Sequence, residues 1–213
     1  LHSRIGLITE YLGLEWMEAL EAAIEKAAEL GLEAWLYDED KWPSGYAGGR
    51  VPVENPEYRG QYLGRLPTSA ILPENSEIVF EKDGWVYFTA ICPLGIIWFN
   101  GTSYTDLMNP EAVATYIRST HEKYKEHFGK YFGTVIPGIF TDEPIMRMRA
   151  GWGPCDCEWI PYSPYLLKRY QATYGESPFP HIEKLFTNAP DSAKYRYRYW
   201  KMASEQFVEA YTK

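Results

Sequence analysis

Two adjacent carboxylates, Asp142 and Glu143, are the residues of this chain best suited to chemistry. They follow an apolar segment, 135–140, that reads as a buried strand, and Pro144 behind them cannot donate a hydrogen bond to a sheet. Ligands of parallel α/β sheets bind where strands end in this way. A carboxylic acid held beside apolar neighbours has a raised pKa and can act as a general acid near neutral pH. The alternative is a solvated Asp-Glu turn without function.

A second predicted strand, 32–37, also ends in acids, because it runs directly into Asp38–Asp40. Each of the two strands follows a predicted helix. The first helix covers 14–30, where apolar residues recur at helical spacing, and Gly31 is suited to end it. The second begins at Asn109, and its apolar residues also share one face. Two helix-strand repeats therefore deliver acidic residues to the same edge of a parallel sheet.

The region 44–103 between these repeats is rich in Pro and Gly and has no helical periodicity. Residues 77–80 and 85–89 flank Lys82-Asp83-Gly84, and Asp-Gly between two β-rich runs is a strong hairpin signal. Residues 96–99 are predicted to add a third strand. We interpret 44–103 as a small β-rich insertion after the first acidic strand.

Composition excludes some partners and favours others. A net charge of -8 argues against nucleic acid, because phosphate binding requires clustered Lys and Arg. No apolar run is long enough to predict a membrane span, and the first residues do not resemble a signal peptide, so the compartment stays open. Aromatic residues make up 16% of the chain, with 18 Tyr and 8 Trp. Because aromatic rings stack on sugar faces, this favours a carbohydrate ligand, although aromatics also fill cores.

The cysteines and histidines indicate neither a disulfide framework nor a metal site. The three cysteines are Cys92, Cys155 and Cys157, an odd number, and the last two are too close for the usual C-x-x-C site. His121-Glu122 followed by His127 does not have H-E-x-x-H spacing, and we expect these residues on the exposed side of a helix.

Three segments, 34–51, 104–113 and 137–144, resemble the catalytic barrel of bacterial glycoside hydrolases related to family 106, the α-L-rhamnosidases. The resemblance covers most of the chain and implies an α/β fold: a partial (β/α)8 TIM barrel of about three to four βα units over 1–213, with the insertion at 44–103. The two acidic strands would be the third and fourth of that barrel. The start at Leu1 and the helical pattern that runs to the end suggest a gene fragment, whose partner is the remainder of the parent barrel.

The resemblance also implies roles for the two acids. Glu143 matches the general acid of the fourth barrel strand, which commonly lies in an Asn-Glu-Pro-like phrase. Asp142 stands at the position of the Asn in that phrase, so a carboxylate, which accepts hydrogen bonds, replaces an amide that can donate one to a sugar hydroxyl. Inversion and a bound calcium ion are expected of the family 106 relatives, although no spacing in the chain matches a calcium loop. The second catalytic acid would come from a later strand, and we therefore expect the 213 residues alone to be inactive.

Around Glu143, polar and aromatic residues of both strand ends and of the chain start are predicted to bind the carbohydrate substrate. They are Tyr37, Asp38, Asp40, Trp42 and Asp142, with His2 and Arg4 from the neighbouring strand. A divalent cation among the clustered acids is also possible. Two alternatives stay open: a carbohydrate-binding module without catalysis, and a barrel lyase or isomerase that uses the same acidic rim.

Overall fold

The computed structural model describes residues 1–3, 6–146 and 157–212, which form a mixed α/β fold. It has a two-stranded parallel sheet and a four-stranded antiparallel sheet, and the described residues form no closed barrel. The helices are α1 (Leu14–Leu30), α2 (Arg50–Glu54), α3 (Pro110–Ser119), α4 (His121–Phe128), α5 (Pro164–Tyr174), α6 (Glu183–Phe186) and α7 (Ser192–Thr212). The strands are β1 (Leu36–Tyr37), β2 (Gln61–Pro67), β3 (Ser76–Lys82), β4 (Trp85–Ile91), β5 (Ile139–Phe140) and β6 (Glu158–Tyr162).

The first helix-strand repeat has the predicted form. Helix α1 buries Trp16, Leu20 and other apolar residues, and Gly31 ends it in the left-handed conformation, with φ 68°. Strands β1 and β5 pair in parallel, with Leu36 opposite Ile139. Both are shorter than the apolar segments that predicted them, but the acids that follow them do lie at one edge of the sheet.

The second repeat has its helix in two parts. Asn109 caps α3 by accepting hydrogen bonds from the first backbone N–H groups, as its position predicts. The helix then breaks at Thr120, whose φ is -122°, and its hydroxyl donates to the Tyr116 carbonyl at 2.8 Å. A hydroxyl bonded to the preceding turn in this way competes with the helix. Beyond the break, Tyr124 on α4 donates to the carbonyl of Tyr37 at 3.1 Å and so ties the helix to the end of β1.

The antiparallel sheet has the strand order β3-β4-β2-β6. The hairpin predicted around Asp83-Gly84 is confirmed as β3 and β4. The third strand predicted at 96–99 is wrong, because Asn100 and Gly101 have positive φ and reverse the chain after a short 3-10 turn. The sheet instead recruits β2 and β6, and β6 lies well beyond 44–103. Helices α5 and α7 pack on this sheet, and Tyr199 of α7 donates to the Pro161 carbonyl at 2.8 Å.

The cysteines differ from expectation in one respect. Cys92 is buried with a free thiol, and burial raises its pKa to about 12. Cys157 takes part in a disulfide, which the odd number of cysteines did not predict. Among the described helices, none has the length and apolar character needed to cross a membrane.

We expect Asp106→Asn to change how stability depends on pH. Asp106 is buried, and burial raises the pKa of its carboxyl to about 7, although hydrogen bonds from the Ser163 side chain and the Met108 N–H act to lower it. The folded protein therefore holds a proton that the unfolded chain releases between about pH 4 and pH 7, and stability falls as pH rises through that window. The Asn variant has no acid to titrate there. Its free energy of unfolding in urea, relative to that of the original chain, should therefore rise by about 2 to 4 kcal/mol as the pH is raised from 4 to 8. Asp83→Asn, in the exposed hairpin turn, serves as the control, and equal pH dependence of all three proteins would contradict the prediction.

Candidate functional site

The candidate site is the edge where β1 and β5 end. Ser44 holds the two strand ends together: its N–H donates to the Asp142 carbonyl at 2.9 Å, and its hydroxyl oxygen accepts from the Asp142 N–H at 2.9 Å. The parallel register that brings the acids to one edge is therefore locked by contacts 98 residues apart in the chain.

Asp38 lies beneath this edge and is completely buried. Its carboxylate accepts from the hydroxyl of Ser44 at 2.6 Å and from the hydroxyl of Thr141. Tyr116 of α3 donates to its carbonyl at 2.9 Å. Neither oxygen of Asp38 reaches solvent in this placement, which does not favour the direct contact with substrate that we predicted. Asp38 instead positions Ser44, which in turn holds Asp142.

His121 also faces Asp38, although we predicted it on the exposed side of its helix. Its Nε2 lies 3.5 Å from Oδ2 of Asp38, and its Nδ1 lies 2.9 Å from the hydroxyl oxygen of Thr120. Burial lowers the pKa of His121, and the carboxylate of Asp38 acts in the opposite direction. The sequence did contain a signal, since His121 stands three residues before the buried Tyr124 on one helix face. Glu122 and His127 are exposed as predicted.

Glu39 is the most heavily bonded carboxylate of the site and is fully buried. Its two oxygens accept five backbone N–H groups at 2.6 to 3.0 Å, those of Asp40, Gly45, Tyr46, Ala47 and Gly48. Burial raises the pKa of Glu39 to about 8, while these N–H groups act to lower it. The loop wraps closely: a Cβ at Gly45, whose φ is 132°, would approach Leu107 to 2.9 Å. Glu39 therefore organises the loop and does not contact a ligand.

Asp40, which we predicted to bind substrate, also accepts a hydrogen bond from within the protein. Its Oδ2 accepts from the side-chain amide of Asn100 at 2.8 Å, and the same amide donates to the Gly48 carbonyl at 3.1 Å. Only 9% of Asp40 is exposed. This placement ties Oδ2 of Asp40 to the Asn100 turn, and direct binding of substrate by Asp40 stays a prediction.

The remaining predicted residues do surround an open cleft of about 360 Å³. Its lining comprises His2, Ser3, Tyr37, Lys41, Trp42, Trp98 and Asp142. His2 stacks on Tyr37 with 4.5 Å between ring centroids, and Tyr37 donates to Oδ2 of Asp142 at 3.0 Å. Arg4 lies outside the described residues. Lys41 and Trp98 were not predicted, and Trp98 comes from the far side of the β-rich region, 56 residues after Trp42.

Glu143 lies at the rim of this cleft and is exposed. The indole N–H of Trp42 donates to its Oε2 at 3.0 Å, and Trp42 in turn meets Trp98 edge to face at 6.2 Å. Its backbone has a φ of 44°, a conformation that is uncommon outside glycine and that occurs often at functional sites. The side chain thus contacts a cleft wall while its carboxyl group stays open to a ligand.

The acids do not form a cation site of the kind that the resemblance implies. Among the described residues, no group of three or more His, Cys, Asp or Glu side chains is arranged to hold a metal ion. The carboxylate of Asp38 accepts from the hydroxyls of Ser44 and Thr141, and Oδ2 of Asp40 accepts from the Asn100 amide, so both acids already have donors within the protein. These residues therefore do not fit a calcium ion shared by the four acids.

No protein-family model, curated protein or solved structure matches this chain.

Proposed function

We propose that this protein is part of a glycoside hydrolase in which Glu143 is the general acid and an α-L-rhamnoside or related glycan is the substrate. The observation that carries the proposal is the position of Glu143: it follows a parallel strand and lies 3.0 Å from Trp42, at the rim of an aromatic cleft. Aromatic walls with a few convergent polar groups are typical of sugar sites.

In the proposed reaction, a carboxyl oxygen of Glu143 gives its proton to the glycosidic oxygen as the bond from that oxygen to the anomeric carbon breaks. The Trp42 indole N–H orients the carboxyl group and stabilises the carboxylate that remains. Asp142, held by the Tyr37 hydroxyl, is placed to accept hydrogen bonds from sugar hydroxyls. These roles use only groups at the cleft, and Asp38 and Glu39 act beneath it as positioning residues.

The reaction requires a second carboxyl group, about 6.5 to 9.5 Å away for inversion. Asp142 is the one carboxylate among the described residues that line the cleft, and it is the immediate neighbour of Glu143. We propose that the second acid comes from outside the described residues, as expected from the family 106 resemblance.

The same reasoning supports a partial TIM barrel as the architecture. Strands β1 and β5 are parallel neighbours, and α3 and α4 form the connection that leads into β5. Parallel neighbours joined through helices, with acids at their carboxyl ends, are what two adjacent βα units of a (β/α)8 barrel provide. Within 1–213, strands β2, β3 and β4 lie in the 44–103 insertion, which follows β1 and precedes α3 in the chain.

A non-catalytic carbohydrate-binding module is the second candidate. It is favoured by the half-buried aromatic wall of Trp42 and Trp98 and by the single lining carboxylate. In that case Asp142 and Glu143 would only accept hydrogen bonds from sugar hydroxyls.

One experiment separates the two functions. Glycoside hydrolysis and sugar binding are measured in the 213-residue protein and in a polypeptide that extends it to a full barrel. We expect both to bind sugar and only the extended polypeptide to hydrolyse it, because the second acid is needed. Hydrolysis by the 213-residue protein would contradict the proposal that the second acid lies elsewhere. Sugar binding without hydrolysis by either polypeptide would favour the carbohydrate-binding module.

A further inference from the structure

Lys41 is a cation on the wall of the cleft that none of the roles above uses. It is half-buried, and it lies beside Trp42 and Asp142 among the lining residues. Among the described residues, no carboxylate lies within ion-pair distance of its ammonium group. Other described lysines, such as the exposed Lys125, also lack a carboxylate partner, and what distinguishes Lys41 is its half-buried place on the wall of the cleft.

The acids that precede Lys41 in sequence do not neutralise it, because each is committed elsewhere. Asp38 bonds to the hydroxyls of Ser44 and Thr141, and Glu39 accepts only backbone N–H groups. Asp40 bonds to the amide of Asn100. The strand end therefore turns three acids inward and leaves the following lysine at the cleft.

Asp142 is on the same cleft but has a donor of its own. Its Oδ2 accepts from the hydroxyl of Tyr37, whose ring stacks on His2. The cleft thus presents one ammonium group, one bonded carboxylate and aromatic walls, with the carboxyl group of Glu143 at its rim held by the Trp42 indole. A ligand with a negative substituent can satisfy Lys41 while its ring packs on Trp42 or Trp98.

We infer that the ligand of this cleft is a glycan with an anionic substituent, which Lys41 binds directly. The inference rests on the proposed sugar site and specifies its substrate class. A uronic acid carboxylate and a sulfate ester both provide the required charge, since Lys acts as a compact point charge with rotatable donors. Aromatic walls exclude water on one side, so the ion pair is stronger than one on an open surface. A neutral sugar would leave the ammonium group of the half-buried Lys41 without a counter-charge.

The test compares charged glycans with neutral partners of the same structure. A panel of uronate-containing oligosaccharides is paired with carboxyl-reduced counterparts, and binding to the 213-residue protein is followed by calorimetry and tryptophan fluorescence. We expect at least one acidic member to bind about tenfold more tightly than its reduced partner, as a charge-assisted hydrogen bond allows. The preference should shrink between about 0.01 M and 1 M salt, where the Debye length falls from about 30 Å to about 3 Å. Sulfated oligosaccharides form a second arm and identify which anion is preferred.

Lys41→Gln is the decisive variant, because glutamine still donates to neutral hydroxyls but has no charge. It should remove the preference for the acidic glycan and leave binding of the reduced one nearly unchanged. Lys125→Gln, on the exposed face of α4, is the matched control and should keep the preference. The inference is overturned if no charged member of either arm binds more tightly than its neutral partner, or if Lys41→Gln keeps the full preference. Because these are binding measurements, they are independent of hydrolysis: an absent Glu143 activity would remove the proposed reaction without removing the charge preference.

Discussion

Replacing Glu143 by glutamine is expected to lower glycoside hydrolysis by about 10²- to 10⁴-fold, the usual contribution of a general acid. The loss should be largest for glycosides with unactivated alcohol leaving groups, because these cannot depart without a proton. Glycosides of acidic phenols should lose much less. Sugar affinity should change little, since the amide keeps an oxygen that can accept from the indole N–H of Trp42. The measurement is kcat/KM for both leaving-group classes in the extended polypeptide, together with calorimetric binding.

Two further variants make this result specific. Glu81→Gln, an exposed glutamate on β3, is the control and should leave kcat/KM unchanged. Asp142→Asn tests the neighbouring acid, and it should weaken sugar binding more than it changes the leaving-group dependence. If Asp142→Asn carries the leaving-group effect and Glu143→Gln does not, the proton donor is Asp142 and the proposed assignment is wrong.

Replacing Glu39 by glutamine is expected to destabilise the fold by about 3 to 5 kcal/mol, a loss typical of a broken buried network. Both oxygens of Glu39 only accept, and their partners are all backbone N–H groups. Glutamine would aim an N–H₂ donor at other donors and leave at least one buried N–H without an acceptor. The measurement is the free energy of unfolding in urea above pH 8, where Glu39, with a pKa of about 8, is ionised in the folded protein.

The expected destabilisation is specific to the Glu39 loop. Glu18→Gln, on the exposed face of α1, changes the same chemical group in solvent and should alter stability by less than about 0.5 kcal/mol. A Glu39→Gln protein as stable as the Glu18→Gln control would mean that the loop does not depend on the carboxylate.

Much of the local structure was predictable because it depends on neighbours in sequence. The spacing of apolar residues and Gly31 defined α1, Asn109 marked the start of α3, and Asp83-Gly84 marked the hairpin. The failures lie where distant contacts decide. Residues 96–99 were expected to be a strand, but the chain reverses at Asn100, whose side chain is held by Asp40, 60 residues away.

The candidate site divides in the same way. From the sequence alone it was possible to predict that acids would meet at the edge of a parallel pair, because strand ends and residue types are local properties. Which acids face the cleft was decided by tertiary structure. Asp38 and Asp40 are buried because Ser44, Thr141 and Asn100 supply their hydrogen bonds, and a buried carboxylate is stable only with such partners.

Sequence by itself therefore determined the two helix-strand repeats, the edge of the parallel sheet at which acids follow the strands, and the choice of Glu143 as a candidate residue. Tertiary structure decided the rest: the inward turn of three acids, the position of His121 against Asp38, and the cleft that Trp98 and Lys41 complete. The physical reason is that burial and hydrogen bonding of a side chain depend on partners brought together from across the chain. Residue spacing along one segment carries no information about those partners.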